Sequence, residues 1–148
     1  MRLLIQRVSS ASVTVGNKVV GNIEKGLLVF AGFKVLDDII VINRLSDKCL
    51  NLRIFEDDAG KMNLSALDIK AEILIISQFT LYANCKKGRR PGFDLSMPPD
   101  EAEKMYDILI DEFSSSGLNI QTGIFGAKMD IALVNDGPVT IMLDDNEL

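Results

Sequence analysis

The chain has 148 residues, with 16 Lys+Arg against 21 Asp+Glu, a formal net charge of −5, and no histidine. Without histidine it cannot form a Ser-His-Asp triad, a Cys-His dyad or an imidazole metal site. We therefore expect no metal and no other cofactor, and any catalysis must use hydroxyls, carboxylates, lysines, backbone dipoles or the substrate itself. The acidic balance argues mildly against a protein that coats long stretches of nucleic acid, because such surfaces are usually basic.

The length predicts one domain over residues 1–148, since domains commonly run about 100–150 residues. The two cysteines, Cys49 and Cys85, form no disulfide framework, which indicates a reducing compartment. The start of the chain turns polar at Gln6-Arg7 after only three apolar residues, which is not a signal-peptide pattern. No apolar run approaches the roughly 18–20 residues of a membrane span. We expect a soluble cytoplasmic protein with no membrane partner.

The first third of the chain is predicted to be rich in strands. Alternation in Val13-Thr14-Val15, followed by the turn pair Gly16-Asn17, indicates a hairpin. The apolar run 27–33 indicates a buried strand. A helix is predicted from Asp37-Asp38 to about Leu52, because acidic residues favour the positive end of a helix dipole. The predicted strands of this part are 3–8, 11–15, 18–23 and 27–33.

The rest of the chain adds a second helix and further strands. Residues 72–78 form the strongest predicted strand, and 83–98 form one long loop without periodicity. A helix begins at Pro99 and carries one apolar face to Phe113. The remaining predicted strands are 53–55, 118–123, 129–134 and 139–143, and Asp144-Asp145-Asn146-Glu147 is expected to be a solvated tail. The pattern predicts an α+β fold with two helices.

The loop segment Lys86-Lys87-Gly88-Arg89-Arg90 concentrates four positive charges in five residues. The net charge of −5 includes these four, so the remainder of the chain carries −9. A solvated loop is the ordinary explanation for such a charge run. The alternative is a set of phosphate contacts, which a flexible basic loop suits well.

Ser77-Gln78-Phe79-Thr80-Leu81 lies where the strongest predicted strand ends, a place where sheets often carry functional groups. Strand-end packing is the ordinary interpretation. Thr80 is a candidate nucleophile, but its hydroxyl has no evident base in a chain without histidine. Unpaired backbone amides at this strand end are the better functional candidates, because they can donate hydrogen bonds to a developing oxyanion.

Asn135-Asp136-Gly137-Pro138 has the composition of a plain hairpin turn. A proline after it is awkward at a strand start, because it cannot donate to the sheet. X-Pro bonds are cis in only about 5–6% of cases in folded proteins, so spacing alone favours a trans bond. A cis bond would instead orient the two carbonyls in parallel as a paired hydrogen-bond acceptor.

Read together, these motifs resemble the D-aminoacyl-tRNA deacylase family, also called D-tyrosyl-tRNA deacylases. The resemblance covers nearly the whole chain, and the most specific pair of motifs is Ser77-Gln78-Phe79-Thr80-Leu81 with Asn135-Asp136-Gly137-Pro138-Val139-Thr140. It implies a barrel-like, β-β-α layered domain that forms a homodimer. It also implies hydrolysis of the ester between a D-amino acid and the 3′ end of tRNA, as chirality proofreading in translation, with mischarged glycyl-tRNA as a further possible substrate.

The resemblance also implies roles for single residues. Ser77, Gln78, Phe79 and Thr80 are the expected catalytic group, acting mainly through the backbone around Phe79 and Thr80 together with the tRNA 2′-hydroxyl. Gly137 and Pro138 are expected to be joined by a cis bond, to enter the partner subunit's pocket and to be held by Arg7. Residues Lys86, Lys87, Arg89 and Arg90 are the expected tRNA contacts. The chain departs from the usual family pattern at Cys85, Gly92 and Ile124.

Overall fold

The structure is a computed structural model that describes residues 1–147. It contains eight strands and three α-helices in these residues, together with two short 3-10 helices, Phe79–Tyr82 and Asp145–Glu147. The helices are α1 (Ile39–Asn51), α2 (Ala66–Ile69) and α3 (Pro99–Ser114). The strands are β1 (Arg2–Val15), β2 (Lys18–Ile23), β3 (Gly26–Gly32), β4 (Phe55–Glu56), β5 (Met62–Leu64), β6 (Glu72–Ser77), β7 (Ile120–Thr122) and β8 (Met129–Asp144).

The predicted α+β class is confirmed, but the prediction of two helices is wrong because α2 is a third. This helix has only four residues, too few to show a hydrophobic period. It is stabilised locally by a capping box, in which the Ser65 hydroxyl accepts from the Asp68 N–H and the Asp68 carboxylate accepts from the Ser65 N–H. The helix predicted from Asp37-Asp38 is α1, with Asp38 as its N-cap.

Two pairs of predicted strands are each one continuous strand in the structure. Residues 3–8 and 11–15 both belong to β1, and residues 129–134 and 139–143 both belong to β8. The two long strands pair antiparallel, from Arg2 opposite Asp144 to Val15 opposite Met129. The register shifts between Gln6 and Val8, which leaves residues 136–139 of β8 without a partner on β1. The segment predicted as a hairpin turn is therefore a bulge within one strand.

The main sheet curls into the barrel-like form that the resemblance implies. Its strand order is β2-β1-β3-β6-β7, with β8 paired to β1 outside this path. Antiparallel pairs join β1 to β2, β3 and β8, whereas β3–β6 and β6–β7 are parallel. The two ends of the path approach each other, because a Cβ at Gly21 of β2 would lie 2.8 Å from the Thr122 carbonyl oxygen of β7. Glycine is what permits this near closure.

The sheet is buried on both faces where β3 and β6 run side by side. On one face Leu27 and Val29 pack in the larger core with Leu109 and Phe113 of α3. On the other face Leu28 joins a smaller cluster inside the curl of the sheet. Burial on both faces explains why β3 and β6 read as continuous apolar runs rather than as alternating strands. No helix among the described residues is long and apolar enough to cross a membrane.

The expectation of a solvated tail is wrong for Asp144 and Asp145, which form ion pairs with Arg2, Lys34 and the Met1 ammonium, whereas Asn146 and Glu147 are exposed. The Met1 ammonium contacts Asp37 Oδ1 at 2.6 Å and Asp145 Oδ1 at 2.7 Å. Lys34 Nζ contacts Asp145 Oδ2 at 2.8 Å. Burial raises the pKa of Asp145, but the hydrogen bonds from Lys34 and the Met1 ammonium outweigh burial and bring this pKa to about 2.

We expect Asp145→Asn to destabilise the fold in a pH-dependent way. The pKa of Asp145 lies below the ordinary aspartate value of about 3.9, so its stabilising effect is complete above that pH and is lost as pH falls towards 2. Urea unfolding should show the variant about 2 kcal/mol less stable than the parent at pH 7, with a smaller difference below pH 4. Asp58→Asn, on an exposed turn, controls for the change in net charge. An equal deficit at pH 7 and pH 3 would contradict this account.

Candidate functional site

The 3-10 helix Phe79–Tyr82, called the site turn from here on, begins where β6 runs out at Ser77. The N–H of Leu81 donates to the Gln78 carbonyl at 3.3 Å, which starts the turn. The N–H groups of Phe79 and Thr80 have no acceptor among residues 1–147, because the first donors of any helix lack partners within it. The predicted strand end therefore carries two free backbone donors.

The side chains of the site turn provide no base for Thr80. Its hydroxyl oxygen accepts a hydrogen bond from the Gln78 side-chain amide, and this is its only side-chain partner among the described residues. An amide N–H cannot remove a proton, so Thr80 lacks the activation that a nucleophilic hydroxyl requires. Ser77 is half-buried at the end of β6, and Thr80 is exposed. The backbone of the turn is better suited to chemistry than its hydroxyls.

A cavity of about 590 Å³ adjoins the site turn, which is a common volume for a small-molecule site. Three of the predicted catalytic residues line it, namely Ser77, Gln78 and Phe79. The Phe79 ring is largely exposed and packs edge-to-face against Phe93, with ring centroids 4.9 Å apart. The rest of the lining is mostly apolar, and includes Phe33, Ile76, Met97, Ala102, Phe125, Met129 and Ile131. The arrangement suits a flat or apolar group placed beside free backbone donors.

The Gly137-Pro138 bond is cis, as the resemblance implies and contrary to what spacing alone favours. Both residues are exposed on the bulge of β8. The base of the bulge is held by Asn135, whose side-chain amide donates to the carbonyls of Arg7 at 2.9 Å and Val139 at 3.1 Å. The motif is therefore an exposed projection on an anchored base.

Arg7 is buried and lies against this bulge. Its Nε is 2.9 Å from Asp136 Oδ2 and donates to the Asp136 carbonyl at 3.2 Å. Its Nη1 donates to the Ile54 carbonyl at 2.5 Å. The buried guanidinium thus bonds Asp136 in the bulge and Ile54 in the segment after α1, which ties these two segments together. Asp136 is the residue before Gly137-Pro138, so the role that the resemblance gives Arg7 in holding that motif stays a prediction.

The predicted site residues form two groups that lie apart within one chain. The cavity includes Met129 and Ile131 from the start of β8, whereas Gly137 and Pro138 do not line it. Gly137 follows Ile131 by six residue steps along the strand, a distance of about 20 Å at the usual rise of a strand. The structure thus brings Ser77, Gln78 and Phe79 to the cavity, with Thr80 next to them in the site turn, and places Arg7 against the bulge that carries Gly137-Pro138, but it does not join the two groups.

The basic segment Lys86-Lys87-Gly88-Arg89-Arg90 is fully exposed and follows the site turn closely. Reciprocal backbone bonds of 2.7 and 2.9 Å between Asn84 and Gly92 close the base of this loop. Within residues 1–147, none of the four cations lies within ion-pair distance of an acid. Phe93, which lines the cavity, comes directly after the loop. The loop therefore leads into the cavity lining at Phe93, and its four cations have no ion-pair partner in the part of the chain that the structure describes.

Several lining residues carry no signal in the sequence. Phe93 lies in the loop before α3, whereas Phe125 and Met129 lie between β7 and the start of β8, so only the topology brings the two segments together. Of the three departures from the family pattern, Cys85 and Ile124 are exposed and Gly92 is half-buried. Cys49 is buried in the larger core, where burial raises its pKa to about 12. The described residues contain no cluster of three or more side chains that could hold a metal ion.

Comparison with known proteins gives consistent matches along the whole chain. A family model described as D-Tyr-tRNA(Tyr) deacylase matches residues 4–144. The D-aminoacyl-tRNA deacylase of Halothermothrix orenii is 54% identical over 147 residues, covering 99% of both chains. That of Aquifex aeolicus is 53% identical over 148 residues, covering 100% of both.

Solved structures agree in fold. A structure described as the c-Myc DNA Unwinding Element Binding Protein is 40% identical, with a TM-score of 0.92 over 97% of this chain and 98% of that one. A probable eukaryotic D-amino acid tRNA deacylase has a TM-score of 0.84 at 19% identity, over 96% and 97% of the two chains, which shows the fold alone. The match of the family model and the identity of the full-length relatives show that the chain belongs to the D-aminoacyl-tRNA deacylase family of hydrolases.

Proposed function

We propose that this protein hydrolyses the ester bond of D-aminoacyl-tRNA, releasing a free D-amino acid and tRNA, and so acts in chirality proofreading. The observation that carries the proposal is the pair of free N–H donors at Phe79 and Thr80 beside an apolar cavity. Membership of the deacylase family supports the same reaction. The proposed compartment is the cytoplasm, which the free thiols of Cys49 and Cys85 suit.

The proposed chemistry relies on backbone donors and on the substrate. An aminoacyl ester is already activated, so positioning and charge stabilisation are the main contributions required. The free N–H groups of Phe79 and Thr80 stabilise the negative charge that develops on the scissile carbonyl oxygen. Water supplies the hydroxyl of the released acid, and the ribose oxygen leaves with a proton. The neighbouring 2′-hydroxyl of the terminal adenosine assists the attack, in a site where Thr80 has no base.

Selection between D- and L-amino acids is assigned to Gly137 and Pro138 of a second copy of the chain. In its own chain this motif lies far from the cavity, and it projects from an anchored bulge held by Arg7 and Asn135. In the proposed complex its carbonyls accept the substrate's α-ammonium group, and an L side chain is excluded sterically. Glycine has no side chain to exclude, so mischarged glycyl-tRNA is a further proposed substrate.

The proposed homodimer uses the surface of β8. Within the described residues β8 pairs only with β1, so its other edge has no strand partner. Exposed edges of long strands are usually covered in native proteins. Val134 and Met142 also expose apolar side chains on this strand, with 58% and 45% of their surface accessible. A second copy would cover both features and bring its Gly137-Pro138 motif to the neighbouring cavity.

The tRNA end is held by Lys86, Lys87, Arg89 and Arg90 in this proposal. Their side chains are exposed and unpaired within residues 1–147, and phosphate contacts need only such cations on an adaptable loop. The remaining charge of −9 disfavours contact elsewhere on the surface. A small number of phosphate contacts near the cavity is thus compatible with an acidic protein.

Matched D- and L-aminoacyl-tRNA substrates test the proposed reaction directly. We expect the D-ester to be cleaved at least about 100-fold faster than the L-ester, because the L side chain clashes where the α-ammonium must bind. The measurement is release of labelled amino acid over time. Equal hydrolysis of both substrates would refute the chirality assignment. Binding of tRNA without release of amino acid would instead support the alternative hypothesis, a non-catalytic RNA-binding module that uses the basic loop.

Replacement of Thr80 separates the proposed mechanism from that of a threonine-nucleophile esterase. We expect Thr80→Ala to keep more than about a tenth of the parent kcat, because the Thr80 N–H donor remains while only a hydroxyl without a base is lost. A nucleophile's removal commonly costs about 10⁴-fold or more in kcat. Thr80→Ser, which keeps a hydroxyl, is the control. An inactive Thr80→Ala beside an active Thr80→Ser would favour the esterase.

A charge placed on β8 tests the dimer. We expect the parent chain to sediment at twice 16.3 kDa, and Val134→Asp to sediment as a monomer that has lost hydrolysis, because a carboxylate resists burial in an interface. Val19→Asp is the matched control, since Val19 is 54% exposed on β2 and Val134 is 58% exposed. A parent chain that is monomeric and fully active would contradict the cross-subunit assignment of Gly137 and Pro138.

A further inference from the structure

The position of the site turn is not fixed by the turn itself. It is a single 3-10 turn of four residues, and such helices are short elements with poorer hydrogen-bond geometry than α-helices. Its first residue has no side-chain cap from Gln78. The Phe79 N–H shares its peptide group with the Gln78 carbonyl, which the Leu81 N–H holds within the turn, whereas the direction of the Thr80 N–H is sensitive to contacts made from outside the turn.

Ser96 makes one of these contacts. Its hydroxyl donates to the Phe79 carbonyl oxygen at 3.1 Å. This oxygen and the Thr80 N–H belong to the same planar peptide group, so a bond that holds the oxygen also sets the direction of the N–H. Ser96 is itself held in place, because it forms a β-bridge with Lys34 and its N–H donates to the Phe93 carbonyl at 2.9 Å.

Arg2 makes the contact at the other end of the turn. Its Nη1 donates to the Leu81 carbonyl at 2.7 Å, and its guanidinium lies over the Tyr82 ring, 4.7 Å from the centroid. Its Nε is bound to Asp144 Oδ2 at 2.7 Å. The other Asp144 oxygen accepts hydrogen bonds from Asn146, so the carboxylate is fixed as well. Arg2 and Asp144 are directly opposite in the β1–β8 pair, which thereby holds the end of the turn.

We propose that Ser96 and Arg2 are positioning residues that hold the site turn from its two ends and so aim the N–H group of Thr80. Neither side chain touches the reacting atoms in this proposal. It rests on the proposed function, since it concerns a donor whose use is oxyanion stabilisation. Loss of an oxyanion donor costs about 10²–10³ in kcat, so a donor that stays present but is misdirected should cost less.

Ser96→Ala removes the first contact with the least disturbance. We expect kcat for D-aminoacyl-tRNA to fall about tenfold while KM changes less than about twofold, because substrate binding does not need the Thr80 N–H aimed at the transition state. Ser96→Thr keeps the hydroxyl and should restore most of kcat. Ser114→Ala is the matched control, because Ser114 also donates to a backbone carbonyl, that of Ile110 at 2.7 Å, but at the end of α3.

Arg2 variants test the second contact. Arg2→Gln should lower kcat at least as much as Ser96→Ala, because it loses both the bond to Leu81 and the ion pair with Asp144. Arg2→Lys keeps the charge but lacks the planar fork whose separate Nε and Nη1 reach Asp144 and Leu81, so it should restore kcat only in part. Circular dichroism at the assay temperature confirms that each variant is folded before its kcat and KM are compared.

Backbone NMR separates this proposal from the proposed function. Ser96→Ala should shift the amide resonance of Thr80, and Ser114→Ala should not. If the parent chain releases no D-amino acid, the proposed function fails, and the Thr80 resonance still decides whether Ser96 holds the turn. The positioning role is overturned if kcat is unchanged in both Ser96→Ala and Arg2→Gln. It is equally overturned if kcat falls while the Thr80 resonance stays where it was.

Discussion

The antiparallel pairing of β1 with β8 is the interaction on which the rest of the structure depends. The other edge of β1 is shared between β2 and β3, so this one strand sets the register of half the sheet. The same ladder creates the bulge that presents Gly137-Pro138, places Arg7 beneath it, and sets Arg2 opposite Asp144. A slip of one residue would turn every side chain of a strand to its other face, so the pairing fixes both candidate site groups at once.

The distribution of charge matters more than its total. A net charge of −5 argues against a protein that wraps a long duplex, yet four cations in one exposed loop leave −9 on the remainder. Repulsion from the acidic surface and attraction to the loop act in the same direction, because both favour an approach of phosphates at the loop. The loop follows the site turn and precedes Phe93 of the cavity, so both ends of the loop lead to residues of the candidate site.

The sequence predicts those parts whose cause is local. Apolar periodicity identifies α1 and α3, and continuous apolar runs identify β3 and β6. These patterns can be recognised within a short segment, because burial on one or both faces determines which neighbouring residues are apolar. The turn composition of residues 135–138 suits a hairpin and a bulge equally, and only the partner strand β1 decides between them. The ion pairs of Asp145 likewise could not be predicted from neighbouring residues, because their partners, Lys34 and the Met1 ammonium, lie more than 100 residues away in the chain. At the site, the strand end and basic loop could be predicted from motifs, whereas the cavity lining could not, since topology assembles it.

Because the chain has no histidine, the proposed chemistry relies on backbone groups whose direction the fold must set. A catalytic side chain can adjust its own rotamer towards a substrate, whereas a backbone N–H points wherever its peptide plane is held. In the proposed mechanism the donors are peptide groups of the site turn and the acceptors are the carbonyls of Gly137 and Pro138. Precision must then come from the side chains that hold those peptides. This gives a reason why two arginines that do not touch the substrate in the proposed mechanism donate hydrogen bonds to backbone carbonyls, Arg7 at the bulge and Arg2 at the site turn. In the proposed mechanism, the side chains that set the geometry therefore contact the peptide groups of the site and do not contact the reacting atoms.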